Sequence, residues 1–225
     1  DRLTLGIDQH GQAAGVAGRR PQIIDAGFSI YEHTLLGRGH AVAADLGAYN
    51  GDTVRQLLEK GNVQTVWAME PDARNYKKLE IYAEGEMRAR VIPVNAGAWN
   101  EETTLFFDKS GNRNASFEVN RSQTLADRPA KTVEVRALPL DGVLNGARVD
   151  YIKYDVEGAE TEALLGSRRI IEHDAPALQV SAYHRSADLF RLPLLVHELN
   201  PDYRLYLRRM AGVPAWDINL YAVKE

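Results

Sequence analysis

The sequence predicts an α/β fold built on a mainly parallel sheet, with an antiparallel pair of strands at its C-terminal end. Three observations predict it. From residue 40 onward, short apolar runs alternate with segments of helical periodicity. Acidic or glycine-bearing clusters follow these runs. Two alternating segments, with room for a loop between them, close the chain. A length of 225 residues, 44% of them hydrophobic and 26% charged, suits one large domain or two small ones and excludes a disordered or collagen-like chain.

The elements follow in order. Residues 1–39 have weak periodicity, apart from a helix-like stretch at Tyr31–Gly39, and read as an N-terminal extension or partial lid. The domain itself spans 40–225. Ala41–Leu46 is an apolar strand that stops in a glycine turn. Asp52–Lys60 places Val54, Leu57 and Leu58 on one face and ends at Gly61, so it is an amphipathic helix with a glycine stop. Gln64–Met69 is a second strand, followed by a helix to about Ala83 with Asp72 as its cap, and Ala89–Val94 is a third strand. Thr103–Phe107 and Lys131–Ala137 read as strands of a hairpin-like excursion at about 101–137, with a polar loop around Ser110-Gly111-Asn112. The α/β rhythm then resumes: strand Val149–Tyr154, helix Ala159–Ile171, strand Ala177–Ala182, helix Asp188–Leu199. Ser186 or Asp188 is the expected N-cap of that last helix, and Pro193 is expected to kink or break it. Tyr203–Arg208 and Asn219–Val223 form the antiparallel pair at one edge.

Composition narrows the chemistry. With Cys 0, thiolate nucleophiles, disulfides and cysteine metal sites are excluded. A formal net charge of -4 supplies no global field for nucleic acid, and no apolar stretch reaches the length of a membrane span. The expected partners are therefore neither nucleic acid nor membrane; the expected location is cytoplasmic, and the oligomeric state is open. The chain opens at Asp1 without a methionine, as processing or excision from a longer protein would leave it.

Ligands of open α/β sheets sit beyond the carboxyl ends of the strands. The clusters there are Asp45–Asp52, Glu70–Asp72, Asn95–Asn100 and Asp155–Glu157. Asp45-x-Gly47-x-x-x-Gly51 has neither the spacing of a dinucleotide fingerprint nor the lysine of a phosphate loop. Asp45 and Asp52 flanking it would repel a diphosphate and tolerate a neutral or cationic ligand. Glu70, nineteen residues after Gly51, ends the second strand, where an acidic side chain accepts hydrogen bonds from ribose hydroxyls. Together these clusters point to a nucleoside-containing ligand without a diphosphate.

These residues also carry a resemblance. Asp45-Leu46-Gly47-Ala48-Tyr49-Asn50-Gly51-Asp52-Thr53 resembles the first motif of class I S-adenosylmethionine-dependent methyltransferases. Four further stretches narrow it to the FkbM-type family of O-methyltransferases. They are Glu70-Pro71-Asp72-x-x-Asn75-Tyr76-x-x-Leu79, Asn95-Ala96-Gly97-Ala98-Trp99, Ile152-Lys153-Tyr154-Asp155-Val156-Glu157-Gly158-Ala159-Glu160, and Ser181-Ala182-Tyr183-His184 with Asp188-Leu189. The resemblance runs from near His40 to near Val223. It implies a Rossmann-like class I methyltransferase fold, a seven-stranded mostly parallel sheet with a reversed last strand. It implies S-adenosylmethionine as cofactor and a hydroxyl of a small molecule or saccharide as acceptor. The cofactor site it implies comprises Asp45, Gly47, Ala48, Tyr49, Asn50, Gly51, Asp52, Thr53, Glu70, Pro71, Asp72, Asn95, Ala96 and Asp155. In it Gly47–Gly51 holds the methionine part, Glu70 the ribose, Asp72 or Asn95 the neighbourhood of the adenine, and Asp155 lies near the methyl group.

An alcohol acceptor must lose a proton, and the candidate bases are His184, Asp155 and Glu157. His184 follows a strand at the ligand edge and has an ordinary pKa near 6.5; the alternative is a hydrogen-bonded histidine at a strand end. Asp155 either orients the acceptor or acts as base. A divalent metal on Asp155 with Glu157 or His184 is a further reading that no dense ligand motif supports, so no metal site is assigned. Glu160 is read as a carboxylate favouring a helix N-terminus. Lys153 shares a face with Asp155 and either pairs with it or lines the pocket. Tyr49, Trp99 and the loop near Asn112–Asn114 are expected at the rim. The competing readings are an N-methyltransferase of the same fold and a binding module that holds the cofactor without turnover.

Overall fold

The structure, a computed structural model, describes residues 41–60, 62–108, 132–209 and 218–224. The readings of residues 1–39 and of the loop at Asn112–Asn114 lie outside the described residues. Ten strands and six helices are described: β1 (Ala41–Leu46), α1 (Asp52–Lys60), β2 (Val63–Met69), α2 (Ala73–Gly85), β3 (Arg90–Val94), β4 (Gly97–Ala98), β5 (Thr103–Asp108), β6 (Thr132–Leu138), α3 (Leu140–Leu144), β7 (Tyr151–Tyr154), α4 (Glu160–Leu165), α5 (Arg168–His173), β8 (Ala177–Ser181), α6 (Asp188–Leu199), β9 (Arg204–Arg209) and β10 (Ile218–Val223).

Seven strands form the main sheet in the order β3-β2-β1-β7-β8-β10-β9. Neighbours from β3 to β8 pair in parallel, and β10 runs antiparallel to both β8 and β9. The expected antiparallel pair, β9 with β10, is present at one edge; the last strand inserts between β8 and β9, so β9 is the edge strand. A smaller sheet, β4-β6-β5, combines an antiparallel β5–β6 pair with two parallel partners at Gly97↔Ala137 and Ala98↔Leu138. No helix among the described residues is long and apolar enough to cross a membrane.

Period-two alternation sorts the strand residues into two cores. Ala44 and Leu46 of β1, Ile152 and Tyr154 of β7, and Leu178 and Val180 of β8 pack with residues of α3, α4, α5 and α6. The residues of opposite parity, Ala41 and Ala43, Val66 and Ala68, and Tyr151, pack with Val54 and Leu57 of α1 and Leu79 of α2. At the carboxyl ends of the strands this second parity turns polar: Asp45, Glu70, Lys153 and Ser181 are all buried. The alternation thus delivers one polar residue from each of β1, β2, β7 and β8 to one edge and one face of the sheet.

Four local expectations are corrected. The segment expected as one helix over Ala159–Ile171 is two, α4 and α5, parted at Gly166-Ser167. The break falls at a close backbone contact, where a Cβ at Gly166 would run into the carbonyl oxygen of Trp99 and only glycine fits. Asp141 then caps α5 from outside, its oxygens accepting the N–H of Arg169 (2.9 Å) and Ile170 (3.1 Å). Pro193 does not end α6, which runs as one helix through it with Pro193 buried. Neither Ser186 nor Asp188 caps that helix: Ala187 is the N-cap without a side-chain bond, and Asp188 lies in the first turn. Trp99 is not at a rim but in the core, 5% exposed. Asp72, by contrast, caps α2 as expected, accepting the N–H of Arg74 and Asn75.

Candidate active site

A cavity of about 720 Å³ opens at the carboxyl edge of the sheet. The turn after β1 forms one wall. Gly47 has φ 88° there, in the left-handed region, and a Cβ on it would collide with the carbonyl oxygen of Asp155. The N–H groups of Gly47 and Ala48 both donate to Met69 O, and Asp155 N donates to Leu46 O. The ends of β1, β2 and β7 are thereby locked together, and the turn leaves Gly47, Tyr49, Asp52 and Thr53 on the cavity. Tyr49 is itself left-handed (φ 49°) and about half exposed.

Glu70 leads the next wall. Its Oε2 accepts the N–H of Tyr49 and its Oε1 the N–H of Asp72, both at 2.8 Å. One carboxylate therefore ties the turn after β1 to the start of α2. Burial pushes its pKa up to about 7, against the pull of those two backbone donors. Asn95 supports the same exit, its Nδ2 donating to Glu70 O at 2.9 Å. Pro71, Asp72, Ala73, Asn75 and Asn95 all line the cavity.

The third wall carries the densest charge. Lys153 Nζ lies 3.4 Å from Asp45 Oδ1 and 3.4 Å from Asp155 Oδ2. Both sequence readings of Lys153 are realised, since it pairs with Asp155 and also lines the cavity. Burial works to lower the Lys153 pKa, but Asp45 and Asp155 outweigh it and hold the ammonium charged. Burial pushes Asp45 up, with Lys153 opposing. Asp155 is held below the usual carboxylate range: burial raises it, and Lys153, His184 and the hydroxyls of Ser181 and Tyr183 more than compensate. Those hydroxyls both donate to Asp155 Oδ1 at 3.0 Å.

His184 sits behind this wall. Its Nε2 is 3.7 Å from Asp155 Oδ1 and 3.5 Å from Glu157 Oε2, and its Nδ1 is 2.9 Å from Glu160 Oε1. The imidazole is itself outside the cavity lining, which it meets through Asp155 and Glu157. Burial lowers its pKa, but the hydrogen bond and charge of Glu160, then Asp155 and Glu157, outweigh burial and raise it.

Of the residues singled out from the sequence, the cavity gathers Gly47, Tyr49, Asp52, Thr53, Glu70, Pro71, Asp72, Asn95, Asp155 and Glu157. Asp45, Ala48, Asn50, Gly51 and Ala96 lie outside its lining: Asp45 is the buried partner of Lys153, and Ala48 and Ala96 belong to the two cores. Sequence reasoning missed Ser181 and Tyr183 as donors to Asp155 and the wall supplied by Val133–Arg136 of β6. Nothing local to Ser181 or Val133 signals these roles, because both depend on which strands become neighbours. Among the described residues no group of three or more His, Asp or Glu side chains has a geometry to hold a metal ion.

Comparison with known proteins agrees with the geometry. The family model of the methyltransferase FkbM domain matches residues 45–211. A crystal structure of a methyltransferase FkbM from Methylobacillus flagellatus KT superposes with a TM-score of 0.63 at 28% identity, covering 81% of this chain and 43% of that one. The chain thus spans about two-fifths of that relative's length. At the level of fold alone, it is similar to Aeropyrum pernix fibrillarin solved with natively bound S-adenosyl-L-methionine (TM-score 0.52, 10% identity, 83% and 67% coverage). It is likewise similar to an rRNA methylase from Streptococcus thermophilus (TM-score 0.53, 11% identity, 92% and 97% coverage). No curated protein matches the chain. The sheet order, with its reversed strand inserted next to the edge, is the Rossmann-like class I methyltransferase fold. On the family match over residues 45–211 and this fold, the chain belongs to the FkbM methyltransferase family.

Proposed function

We propose that this chain transfers a methyl group from S-adenosylmethionine to a hydroxyl oxygen of a small molecule or saccharide. One observation carries the reading: a buried carboxylate, Glu70, and a charge-balanced carboxylate, Asp155, face one cavity from the ends of β2 and β7 in a chain of a methyltransferase family.

The donor set fits the cofactor. Asp45, Asp155 and Lys153 together carry one excess negative charge when all are ionised, and a cation in the cavity offsets it. Each Glu70 oxygen accepts one backbone N–H and keeps a lone pair for a hydroxyl donor. Gly47 lets the main chain approach a ligand without a side chain between. When bound, S-adenosylmethionine supplies a methyl carbon activated by its sulfonium. Glu70 would receive the ribose hydroxyls, Gly47 and Tyr49 of the turn after β1 the methionine part, and Pro71, Asp72 and Asn95 would border the base. Asp155, with Ser181, Tyr183 and Lys153 already on its oxygens, is a poor base and a good fixed charge. Glu157 Oε2, with His184 Nε2 behind it, is the side chain that takes the acceptor's proton and passes it on. The small sheet lines the far side of the cavity with Val133–Arg136 of β6.

The test follows the label from methyl-labelled S-adenosylmethionine across a panel of neutral sugars, phenols and amines. Transfer to a hydroxyl is expected, and His184→Ala should lower turnover by about 10²–10⁴-fold while cofactor affinity stays within a few-fold. Transfer only to amines, or full turnover in the variant, would overturn the reading.

A further inference from the structure

We infer that Glu160 is a positioning residue for His184: its buried carboxylate takes the imidazole Nδ1–H, so that Nε2 alone faces Asp155 and Glu157 and exchanges protons with the cavity. The geometry stands by itself; its purpose rests on the methyl-transfer reading above.

Main-chain geometry fixes Glu160 in place. Its side chain is 1% exposed, and Oε1 accepts the N–H of Val156 at 3.1 Å and of Gly158 at 3.3 Å. The intervening residues Glu157 (φ 54°) and Gly158 (φ 91°) are both left-handed, a turn that brings both N–H groups onto one oxygen. That oxygen therefore cannot drift relative to the loop that carries Asp155 and Glu157. An ionised carboxylate only accepts, so at 2.9 Å from Oε1 the Nδ1 of His184 is the donor. The tautomer follows: in the neutral ring Nε2 holds the lone pair. The Tyr183 ring, centroid 4.3 Å away, packs against the imidazole.

A helix-dipole role alone does not account for this arrangement. Such a carboxylate faces solvent, whereas Glu160 is buried with Oε2 unpartnered among the described residues. The charged groups around the imidazole are Asp155 and Glu157 on the loop after β7, Glu160 on α4, and Lys153 beyond Asp155. Arg185 follows in the chain and rests against Gly158, and Asp188 of α6 adds its charge to that of Glu160. Three carboxylates thus favour the imidazolium, and Glu160 is the one in hydrogen-bond contact. An acceptor hydroxyl in the cavity would give up its proton as its oxygen took the methyl group that S-adenosylmethionine would supply, the sulfur leaving as a thioether. The proton goes to Glu157 Oε2 and on to Nε2, which forms the new N–H bond. Charge and atoms would balance, the positive charge that the cofactor loses ending on the His184 imidazolium.

Nitrogen-15 NMR of the histidine rings, followed from pH 5 to 9, tests the inference without turnover. His184→Ala identifies the His184 signals. In the wild-type chain Nδ1 should remain protonated throughout, with Nε2 alone titrating at a midpoint above 6.5. Glu160→Gln keeps an acceptor oxygen but removes the charge, so the tautomer should persist while the midpoint falls by about 1–3 pH units. Glu160→Ala should lose the tautomer preference; if it does not fold, the Gln variant still decides. An Nε2–H tautomer in the neutral wild type, or an unmoved midpoint in Glu160→Gln, overturns the inference. Calorimetry with S-adenosylmethionine on the same samples separates the two claims. Absent binding removes the methyl-transfer reading and leaves the tautomer result standing. Intact binding with an unmoved midpoint removes only the role of Glu160.

Discussion

Glu70 accepts two backbone N–H groups while 6% exposed, and burial pushes its pKa from 4.5 up to about 7. The sign of the consequence is set by proton uptake. Between pH 4.5 and 7 the folded chain keeps a proton that the unfolded chain has released. Its contribution to stability is complete below about 4.5 and is lost as pH rises through about 7. The loss is of the order of ~3 kcal/mol. Glu70→Gln removes this titration, so the stability of the wild type relative to the variant should fall by that order between pH 4.5 and 8. Urea denaturation at a series of pH values measures it, and parallel curves would contradict the assignment. A ligand whose hydroxyls donate to Glu70 favours the ionised form, so its affinity should rise with pH across the same window. Glu70 was legible in the sequence because its place at a strand end carries the argument. Its bridge from Tyr49 to Asp72 was not, since it depends on how two turns meet.

At the scale of elements, α5 depends on a residue 27 positions upstream of its first member, Arg168. Asp141 accepts the N–H of Arg169 and Ile170, so Asp141→Ala should cost about 0.5–2 kcal/mol in chemical denaturation. Since Asp141 is outside the cavity lining, S-adenosylmethionine affinity should be unchanged in that variant. A loss of affinity matching the loss of stability would show that α5 and the site are coupled. The same contact explains why the α4–α5 break escaped sequence reasoning. The apolar positions Leu164, Leu165 and Ile170 read as one helix across it, while the groups that meet the break, Asp141 on the N–H of Arg169 and Ile170 and the carbonyl of Trp99 against Gly166, come from residues distant in sequence. Asp72 was legible as a cap because its partners, Arg74 and Asn75, are local. The paired strands β5 and β6 were legible from alternation; β4, only Gly97–Ala98, has too few residues to show a period.

Over the whole molecule, strand order does what no single segment does. Placing β1 between β2 and β7 puts Asp45 opposite Lys153 in register and brings Glu70 and Asp155 to one edge. The alternation within each strand, readable from the sequence, decides that these polar residues share a face. The family resemblance implied seven strands with a reversed last one; which strands are neighbours, and the insertion of β10 between β8 and β9, came from the structure. The central claim is that this edge holds S-adenosylmethionine with Glu70 on its ribose. Calorimetric titration of the wild-type chain and of Glu70→Ala with S-adenosylmethionine and S-adenosylhomocysteine tests it most directly. Saturable binding by the wild type, weakened about tenfold or more in the variant with the fold intact, is the predicted result. Equal affinity in both proteins, or no heat from either ligand with the wild type, would contradict it.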